Sequence, residues 1–278
     1  MTVSFGATGR VSIIVPVLNE ADGIEQLKQK LEGVKEALSE FGSIEFVFVD
    51  DGSTDGTLPL LKNAFPEGQL CRIISHDKNR GVGAAFRTGF EYASGNIVCT
   101  IDADCSYEPR GLKELIKTLE GSQADVAVAS PYHPNGAVQG VGAGRLLLSR
   151  VCSLIYRTIS PVPLYTFTSI FRAYRWSVTQ TVKFQADGFV SAAEILIHAA
   201  EQGYRISEVP LVLRARRTGT TKMKILRTVV RHLSLMRTLA LQRLGFQRES
   251  TVPQSLKSPR RVPSVASRAY QYSLEKEQ

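Results

Sequence analysis

Asp102 and Asp104 stand one residue apart, directly after the apolar run IVCTI at 97–101. Carboxylates in that spacing supply hard oxygen ligands, the kind that Mg2+ or Mn2+ takes while it bridges to a diphosphate. A cation held there stabilises the negative charge that builds on a departing diphosphate. The same triplet also suits an Asp-rich turn that caps a helix beginning near Pro109, so both readings stand at this point. A second acidic pair, Asp50-Asp51, follows the run IEFVFV at 44–49 and leads into Gly52-Ser53-Thr54-Asp55-Gly56. Ser53, Thr54 or Asp55 suffices to cap the next helix, which leaves Asp50 and Asp51 for hydrogen bonds to a base or ribose. Pro16-Val17-Leu18-Asn19-Glu20 ends a third apolar run in the same manner. Asn79-Arg80-Gly81-Val82-Gly83-Ala84-Ala85 opens a helix with small residues beside an arginine, where backbone amides can meet phosphate. That stretch has neither the Lys-Ser/Thr ending of a P-loop nor full G-x-G-x-x-G spacing.

Polar clusters that each follow a short apolar run need a scaffold that delivers them to one edge. The chain supplies it from residue 11 onward as an alternation of apolar runs, polar turns and segments of helical spacing, the pattern of a wound α/β sheet. Strands are expected at 11–17, 44–49, 70–75, 97–101 and 125–129, with helices at 22–41, 54–64, 81–93 and 109–120. The runs are apolar on both faces, as in strands covered by helices on each side. After Ser130 the rhythm loosens into a Pro/Gly-bearing loop. A helix at 144–159, a strand near 166–173, a helix near 190–202 and a strand near 204–213 follow. From 222 to 244 the apolar residues Leu226, Val229, Val230, Leu233, Met236 and Ala240 are read as one stripe, with six Lys and Arg and no acid in the segment. The expected organisation is a tail at 1–9, a catalytic domain at 10–221, a basic amphipathic helix at 222–245 and a basic tail at 246–278 with little that could form a core.

Charge divides the chain in the same place. Residues 1–204 carry 18 Lys and Arg against 22 Asp and Glu, whereas residues 205–278 carry 16 against 4. The basic end lacks the aromatic and basic interleaving of a nucleic-acid binder, so nucleic acid is set aside as a partner. An anionic membrane surface suits the amphipathic segment, with its apolar stripe at the acyl boundary; the alternative is that the stripe covers the catalytic domain. The four cysteines form no C-x-x-C pair and indicate a reducing compartment. No leader pattern opens the chain and no window reaches the roughly 18 apolar residues of a spanning helix. A cytoplasmic protein, able to sit peripherally on the cytoplasmic membrane face, is expected. His76, His133, His198 and His232 show no ligand spacing, and Cys105 is read as a packed thiol.

Taken in order, P-V-L-N-E, V-D-D-G-S-T-D-G-T, N-R-G-V-G-A-A and D-A-D-C-S-Y-E-P resemble the family 2 glycosyltransferases with a GT-A fold, nearest to the polyprenyl-phosphate glycosyltransferases. The resemblance runs from about residue 10 to 244 and implies a Rossmann-like sheet with helices on both faces. It makes Pro16 and Glu20 part of a nucleoside pocket and Asp51 a contact to base or ribose. Asp102 and Asp104 become the nucleotide-sugar and metal pair, with Mg2+ or Mn2+ as the cofactor. Arg145 and Ser149 match an R-x-x-x-S helix motif near the acceptor phosphate, and Glu194 matches a carboxylate near the sugar. Arg216 and Lys222 match the R-x-x-G-x-S-K loop that closes on the phosphates. Two departures stand out: Ser106 occupies a place where relatives carry a Gln ligand, and Ala129-Ser130-Pro131-Tyr132 replaces G-S-R-Y, which removes one basic contact. Arg172 to Trp176 is a near miss to the Q-x-x-R-W motif of processive synthases.

The activity implied is inverting, metal-dependent transfer of a sugar from a GDP- or UDP-sugar to a membrane-associated acceptor, a polyprenyl phosphate. Asp104 would hold the metal. Glu194 would serve as base if the acceptor were a hydroxyl. Transfer to a soluble glycan or metabolite, and a non-catalytic nucleotide-sugar binder, are the alternatives.

Overall fold

The computed structural model describes residues 9–215 and 225–243. Its strands are β1 (Arg10–Val17), β2 (Ser43–Asp50), β3 (Cys71–Ser75), β4 (Ile97–Thr100), β5 (Val126–Ser130), β6 (Ala137–Gln139), β7 (Arg172–Arg175), β8 (Ile206–Pro210) and β9 (Val212–Arg214). The helices are α1 (Ile24–Ala37), α2 (Thr57–Ala64), α3 (Val82–Tyr92), α4 (Leu112–Gly121), α5 (Ala143–Ile159), α6 (Trp176–Thr181), α7 (Ser191–Glu201) and α8 (Ile225–Arg243). Seven strands form one sheet in the order β3-β2-β1-β4-β7-β5-β8, and β6 and β9 form a separate parallel pair.

Every pairing in the large sheet is parallel except the two made by β7, which runs against both β4 and β5. The carboxyl ends of β1, β2, β3, β4, β5 and β8 therefore share one edge. The chain lays β2 and β3 on one side of β1 and then returns to place β4 on the other. That reversal opens a crevice between the carboxyl ends of β1 and β4, where open α/β sheets bind ligands.

Alternation along the strands feeds two cores. On one face Ile13, Val15, Phe46 and Phe48 meet Leu27, Leu31 and Val34 of α1 and Leu112, Leu115, Ile116 and Leu119 of α4. On the other, Ile14, Val47, Val49, Val98 and Val128 meet Phe86 and Phe90 of α3, Tyr156 of α5, and Ile195 and Leu196 of α7. Successive residues of a strand point to opposite faces, so a strand apolar at both parities binds two helical layers at once. Truncating a fully buried member such as Leu31 to Ala costs about 2–5 kcal/mol.

The second half departs from the expected elements. Residues 166–171 carry no strand, and β7 starts only at Arg172. Thr166 and Tyr165 instead give their amides to the Glu208 carboxylate, at 2.9 and 2.8 Å. The strand expected over 204–213 is two, β8 and β9, separated at Leu211 and assigned to different sheets. A three-residue strand, β6, lies within what reads as a loop.

Residues up to Ala240 of α8 belong to the same compact unit as the sheet; the other unit, Leu241–Gln278, is described only over 241–243. The buried stripe of α8 is His232, Met236 and Leu239, whereas Val230 and Leu233, expected on the apolar face, are 58% and 56% exposed. On that buried side His232 shares a 2.8 Å hydrogen bond with the Tyr156 hydroxyl. The side chain of Leu226 lies outside the described residues. Among the described residues no helix is long and apolar enough to cross a membrane.

Candidate active site

The carboxyl edge is organised first by the turn after β2. Asp50, the last residue of that strand, accepts from the Ser75 hydroxyl at 3.0 Å and the Ser53 amide at 3.3 Å. Asn19, with φ of 49°, accepts from the Thr54 amide at 2.7 Å and donates its own amide to the Ser53 hydroxyl at 2.8 Å. The Glu20 amide reaches the Thr57 hydroxyl at 2.7 Å, and Asp55 accepts from the Thr57 amide at 2.9 Å. Gly52 is required here because its φ is 74° and a Cβ would lie 2.3 Å from Lys78 backbone carbon. These bonds tie the P-V-L-N-E turn to the D-D-G-S-T-D turn, so Pro16, Glu20 and Asp51 lie at neighbouring strand ends.

Asp51 is 3% exposed, and three donors converge on its carboxylate. His76 Nδ1 meets Oδ1 at 2.8 Å, the Arg80 amide meets the same oxygen at 2.9 Å, and the Gly81 amide meets Oδ2 at 2.7 Å. His76 is fixed in turn by Thr88 at 2.9 Å. The glycine-rich start of α3 is thereby occupied from within. The amides of Arg80 and Gly81 serve Asp51 and that of Gly83 serves the Asp187 carbonyl at 2.7 Å, which corrects their reading as phosphate donors. Gly81, at φ 101°, allows this approach; a Cβ there would sit 2.2 Å from the Asp187 carbonyl oxygen.

Asp102 and Asp104 leave the carboxyl end of β4 on a turn closed by the Cys105 amide on the Asp102 carbonyl at 3.2 Å. Asp104 Oδ1 accepts from the Ser106 amide at 2.9 Å, and Cys105 takes a φ of 50° to complete the turn. Both aspartates are partly exposed. Burial, with the two flanking carboxylates, pushes the Cys105 thiol up to about 12, so it stays protonated and unreactive at neutral pH. Among the described residues no group of three or more His, Cys, Asp or Glu side chains could hold a metal. The chain itself supplies two carboxylates and leaves other positions for diphosphate oxygens and water, a donor set that suits Mg2+ or Mn2+. The residues therefore fit the cation.

The far side of the crevice is set by α5, α7 and β9. Ser149 on α5 shares a 2.9 Å hydrogen bond with Thr168. Arg145 lies in the first turn of α5 with its side chain outside the described residues, and Arg216 and Lys222 lie wholly outside them. The approach to that loop is fixed, however, because the Arg214 amide donates to the Ser106 carbonyl at 2.8 Å. Glu194 is 8% exposed and accepts from the amides of Gln185 at 3.0 Å and Ala186 at 2.8 Å. Its carboxylate thus faces the connection that packs on Gly81 and Gly83.

Several residues shape this edge through contacts that local sequence patterns do not announce. His76 was readable only through pairing, since the β2–β3 register sets Asp50 beside Ser75 and so brings Asp51 and His76 to adjacent strand ends. Tyr107 stacks on Phe171 at 5.0 Å, and burial raises its hydroxyl pKa, helped by the nearby Asp102 carboxylate. Arg172 is fully buried on β7 and donates to the Phe167 carbonyl at 3.0 Å. No local pattern in the sequence announces a buried arginine.

The chain that forms this crevice is similar to known proteins over most of its length. The glycosyl transferase family 2 profile covers residues 12–181. The chain belongs to that family. It is 28% identical over 223 residues to the polyprenol monophosphomannose synthase of Mycolicibacterium smegmatis, covering 78% of this chain and 82% of that one. It is 29% identical over 220 residues to the dolichol-phosphate mannosyltransferase of Pyrococcus furiosus, covering 77% of this chain and 59% of that longer protein. Among solved structures, glucosyl-3-phosphoglycerate synthase of Mycobacterium tuberculosis, in complex with Mn2+, UDP and glucosyl-3-phosphoglycerate, superposes with a TM-score of 0.63 at 21% identity. That match covers 87% of this chain and 82% of the other, and it shows the shared fold.

Proposed function

We propose that this glycosyltransferase moves a sugar, with inversion, from a nucleotide-sugar to a polyprenyl phosphate. The observation that carries the reading is the placement of Asp102 and Asp104 at the carboxyl end of β4, beside the tied turns that follow β1 and β2. The relatives from Mycolicibacterium smegmatis and Pyrococcus furiosus are both named for sugar transfer to a polyprenol or dolichol phosphate, which supports that acceptor.

In this reading Pro16 and Glu20 border the nucleoside, and Asp102 and Asp104 hold Mg2+ or Mn2+. That cation, when bound, neutralises charge on the leaving diphosphate. An oxygen of the acceptor phosphate attacks the anomeric carbon, the bond from that carbon to the diphosphate oxygen breaks, and the electron pair leaves with the nucleoside diphosphate. A phosphate oxygen is already anionic, so no strong base is needed. The inward hydrogen bonds of Glu194 suit it to positioning the 185–188 segment instead. Asp51 acts on the donor through the His76–Gly81 turn that it organises, with any direct base or ribose contact made beside those bonds. Arg145 and Ser149 on α5, with Arg216 and Lys222, supply polar and cationic contacts to the acceptor phosphate and donor diphosphate. The protein works at the cytoplasmic membrane face as a peripheral enzyme, with α8 in place against the domain. The catalytic domain spans residues 10–221.

The test is a thermal-shift panel of GDP- and UDP-sugars with Mn2+ or Mg2+, followed by transfer to polyprenyl phosphate. A donor-dependent shift reports binding to the folded state. A metal-dependent product on the lipid is the expected result, and absence of transfer with every donor defeats the reading.

A further inference from the structure

Residues 166–171 run between the ends of β4 and β5 without forming a strand, because their backbone groups are claimed one by one from outside. Glu208 of β8 takes the amide of Thr166 at 2.9 Å, Ser153 of α5 that of Phe167 at 3.4 Å, and Ser169 that of Phe171 at 3.3 Å. On the carbonyl side, the Arg172 guanidinium of β7 reaches Phe167 at 3.0 Å, the Thr100 hydroxyl of β4 reaches Ile170 at 2.5 Å, and the Ala129 amide of β5 reaches Phe171 at 3.0 Å. The Thr166 hydroxyl pairs with that of Ser130 at 2.8 Å. Strands β4, β5, β7 and β8 and helix α5 all grip the segment. A buried backbone bonded in this way cannot shift without leaving polar groups unmet.

The clamped segment also touches both halves of the crevice. Phe171 stacks on Tyr107, which closes the turn that carries Asp102 and Asp104, at 5.0 Å. Thr168, separated from Phe171 only by Ser169 and Ile170, shares the 2.9 Å hydrogen bond with Ser149 of α5. Thr166, Phe167, Ser169, Ile170 and Phe171 are buried, whereas Thr168 and Ser149 are only partly so. The segment therefore holds the metal turn at one end and leaves a hydroxyl pair within reach of a ligand at the other.

The direction of that hydrogen bond matters. A serine has one hydrogen to give. If Ser149 spends it on Thr168, only its lone pairs remain for an anionic oxygen, and they repel it. If Thr168 donates to Ser149 Oγ, the Ser149 hydrogen is free for a phosphate, and each bond polarises the next.

We propose that Thr168 is a positioning residue for the acceptor: it donates to Ser149, aims that hydroxyl at the acceptor phosphate, and holds it at a set distance from the metal turn through the clamped segment. The inference rests on the reading of a phosphate acceptor given above. In-line transfer makes such a span useful, because misplacing a reacting group by about 1 Å costs on the order of a hundredfold in rate.

The experiment titrates farnesyl phosphate into the full chain by calorimetry, without donor, and measures sugar transfer to the same lipid. Thr168→Val removes the hydroxyl and keeps the outline of the side chain. Its affinity for farnesyl phosphate is expected to fall about fivefold, the worth of one neutral hydrogen bond. KM for the lipid should rise to match, while KM for the donor, the donor-induced thermal shift and the urea midpoint stay native. Thr168→Ser should restore the affinity. In a chain that already carries Ser149→Ala, adding Thr168→Val should change neither affinity nor transfer, as required of a residue that acts through Ser149. Native affinity in Thr168→Val or in Ser149→Ala, no rescue by Thr168→Ser, or a full additional loss in the double variant overturns the proposal. The last result would make Thr168 a direct contact or a support of the fold. Failure of the native chain to bind farnesyl phosphate overturns it together with the phosphate acceptor. The broader reading fails separately, when farnesyl phosphate binds with the expected pattern but receives no sugar from any donor.

Discussion

The two flanks of the carboxyl edge are built on opposite terms. Under β1, β2 and β3, the inward-facing polar groups are spoken for inside the chain: Asp51 takes three donors, Asp50 takes two, Asn19 ties the two turns together, and Asp55 accepts from Ala21 and Thr57. Beyond β5, two arginines rest on aromatic rings with no described anion, and three apolar residues of α5 face solvent. The first flank is finished before any ligand arrives, as preorganised catalytic frameworks must be. The second is completed by what binds to it. A nucleotide brings a fixed shape to a rigid mould, whereas a lipid chain needs a surface more than a mould.

The contrast is broken most strongly at its centre. Asp104→Asn keeps the Ser106 hydrogen bond geometry within reach but removes a charged metal ligand, so transfer should fall by about a thousandfold with little change in thermal midpoint. Radiolabelled sugar transfer at saturating Mn2+, together with circular dichroism, checks both halves. Turnover near the native rate would remove the cation from the mechanism.

Next comes the finished flank itself. Asp51→Ala leaves His76 and the amides of Arg80 and Gly81 without their acceptor in a buried place, a loss of about 3 kcal/mol. Urea titration should show it, and the donor-induced thermal shift should vanish even where the protein remains folded. A merely local surface role for Asp51 would leave the urea midpoint within about 0.5 kcal/mol of native.

What the chain disclosed in advance follows the same division. The strands β1, β2, β4 and β5 were legible because their signals are local: apolar at both parities, short, and closed by turn residues. The polar turns after them were legible for the same reason. What escaped depends on partners distant in sequence. The place of Asp51 at a strand end was legible, but its spacing cannot show His76 and Gly81 arriving from the next strand. The place of Glu194 on a helix was legible, but not that the preceding connection folds back onto its carboxylate. β7 was misplaced because residues 166–171 have strand-like composition while side chains claim their amides: Glu208, 42 residues on, takes that of Thr166, and Ser153 and Ser169 take those of Phe167 and Phe171. Arg150 and Arg157 drew no attention since arginines on a helix ordinarily mark a solvated face.

A smaller effect tests whether the open flank rests on a firm base. Burial holds His232 neutral, its pKa depressed to about 4 where α8 meets Tyr156 of α5. An unfolded histidine titrates near 6.5, so between those values the unfolded chain binds a proton that the folded chain refuses. Stability is therefore intact above about pH 6.5 and declines as pH falls toward 4, by at most about 3 kcal/mol from this group. Urea midpoints at pH 7, 5.5 and 4.5 should show that slope, and His232→Gln should flatten it. An unchanged slope in the variant would assign the acid sensitivity to other groups.

The smallest structural effect carries the sharpest functional contrast. Leu147→Ser and Val151→Ser alter side chains already in solvent, and surface changes of this kind stay within about 0.5 kcal/mol of native stability. Neither residue lies among those that line the cavity between α5 and the segment after β5, and neither touches the donor turns. If the open flank exists to carry a chain, these two changes together should lower transfer to a long polyprenyl phosphate by severalfold through KM while leaving donor hydrolysis at its native rate. The same pair of changes in a buried strand of the finished flank would unfold the protein. An apolar residue in water that can be lost without cost to the fold, yet not without cost to one substrate, is held there by that substrate. Equal transfer by native and variant chains would instead make the exposed strip a bystander and leave the two flanks different in packing alone.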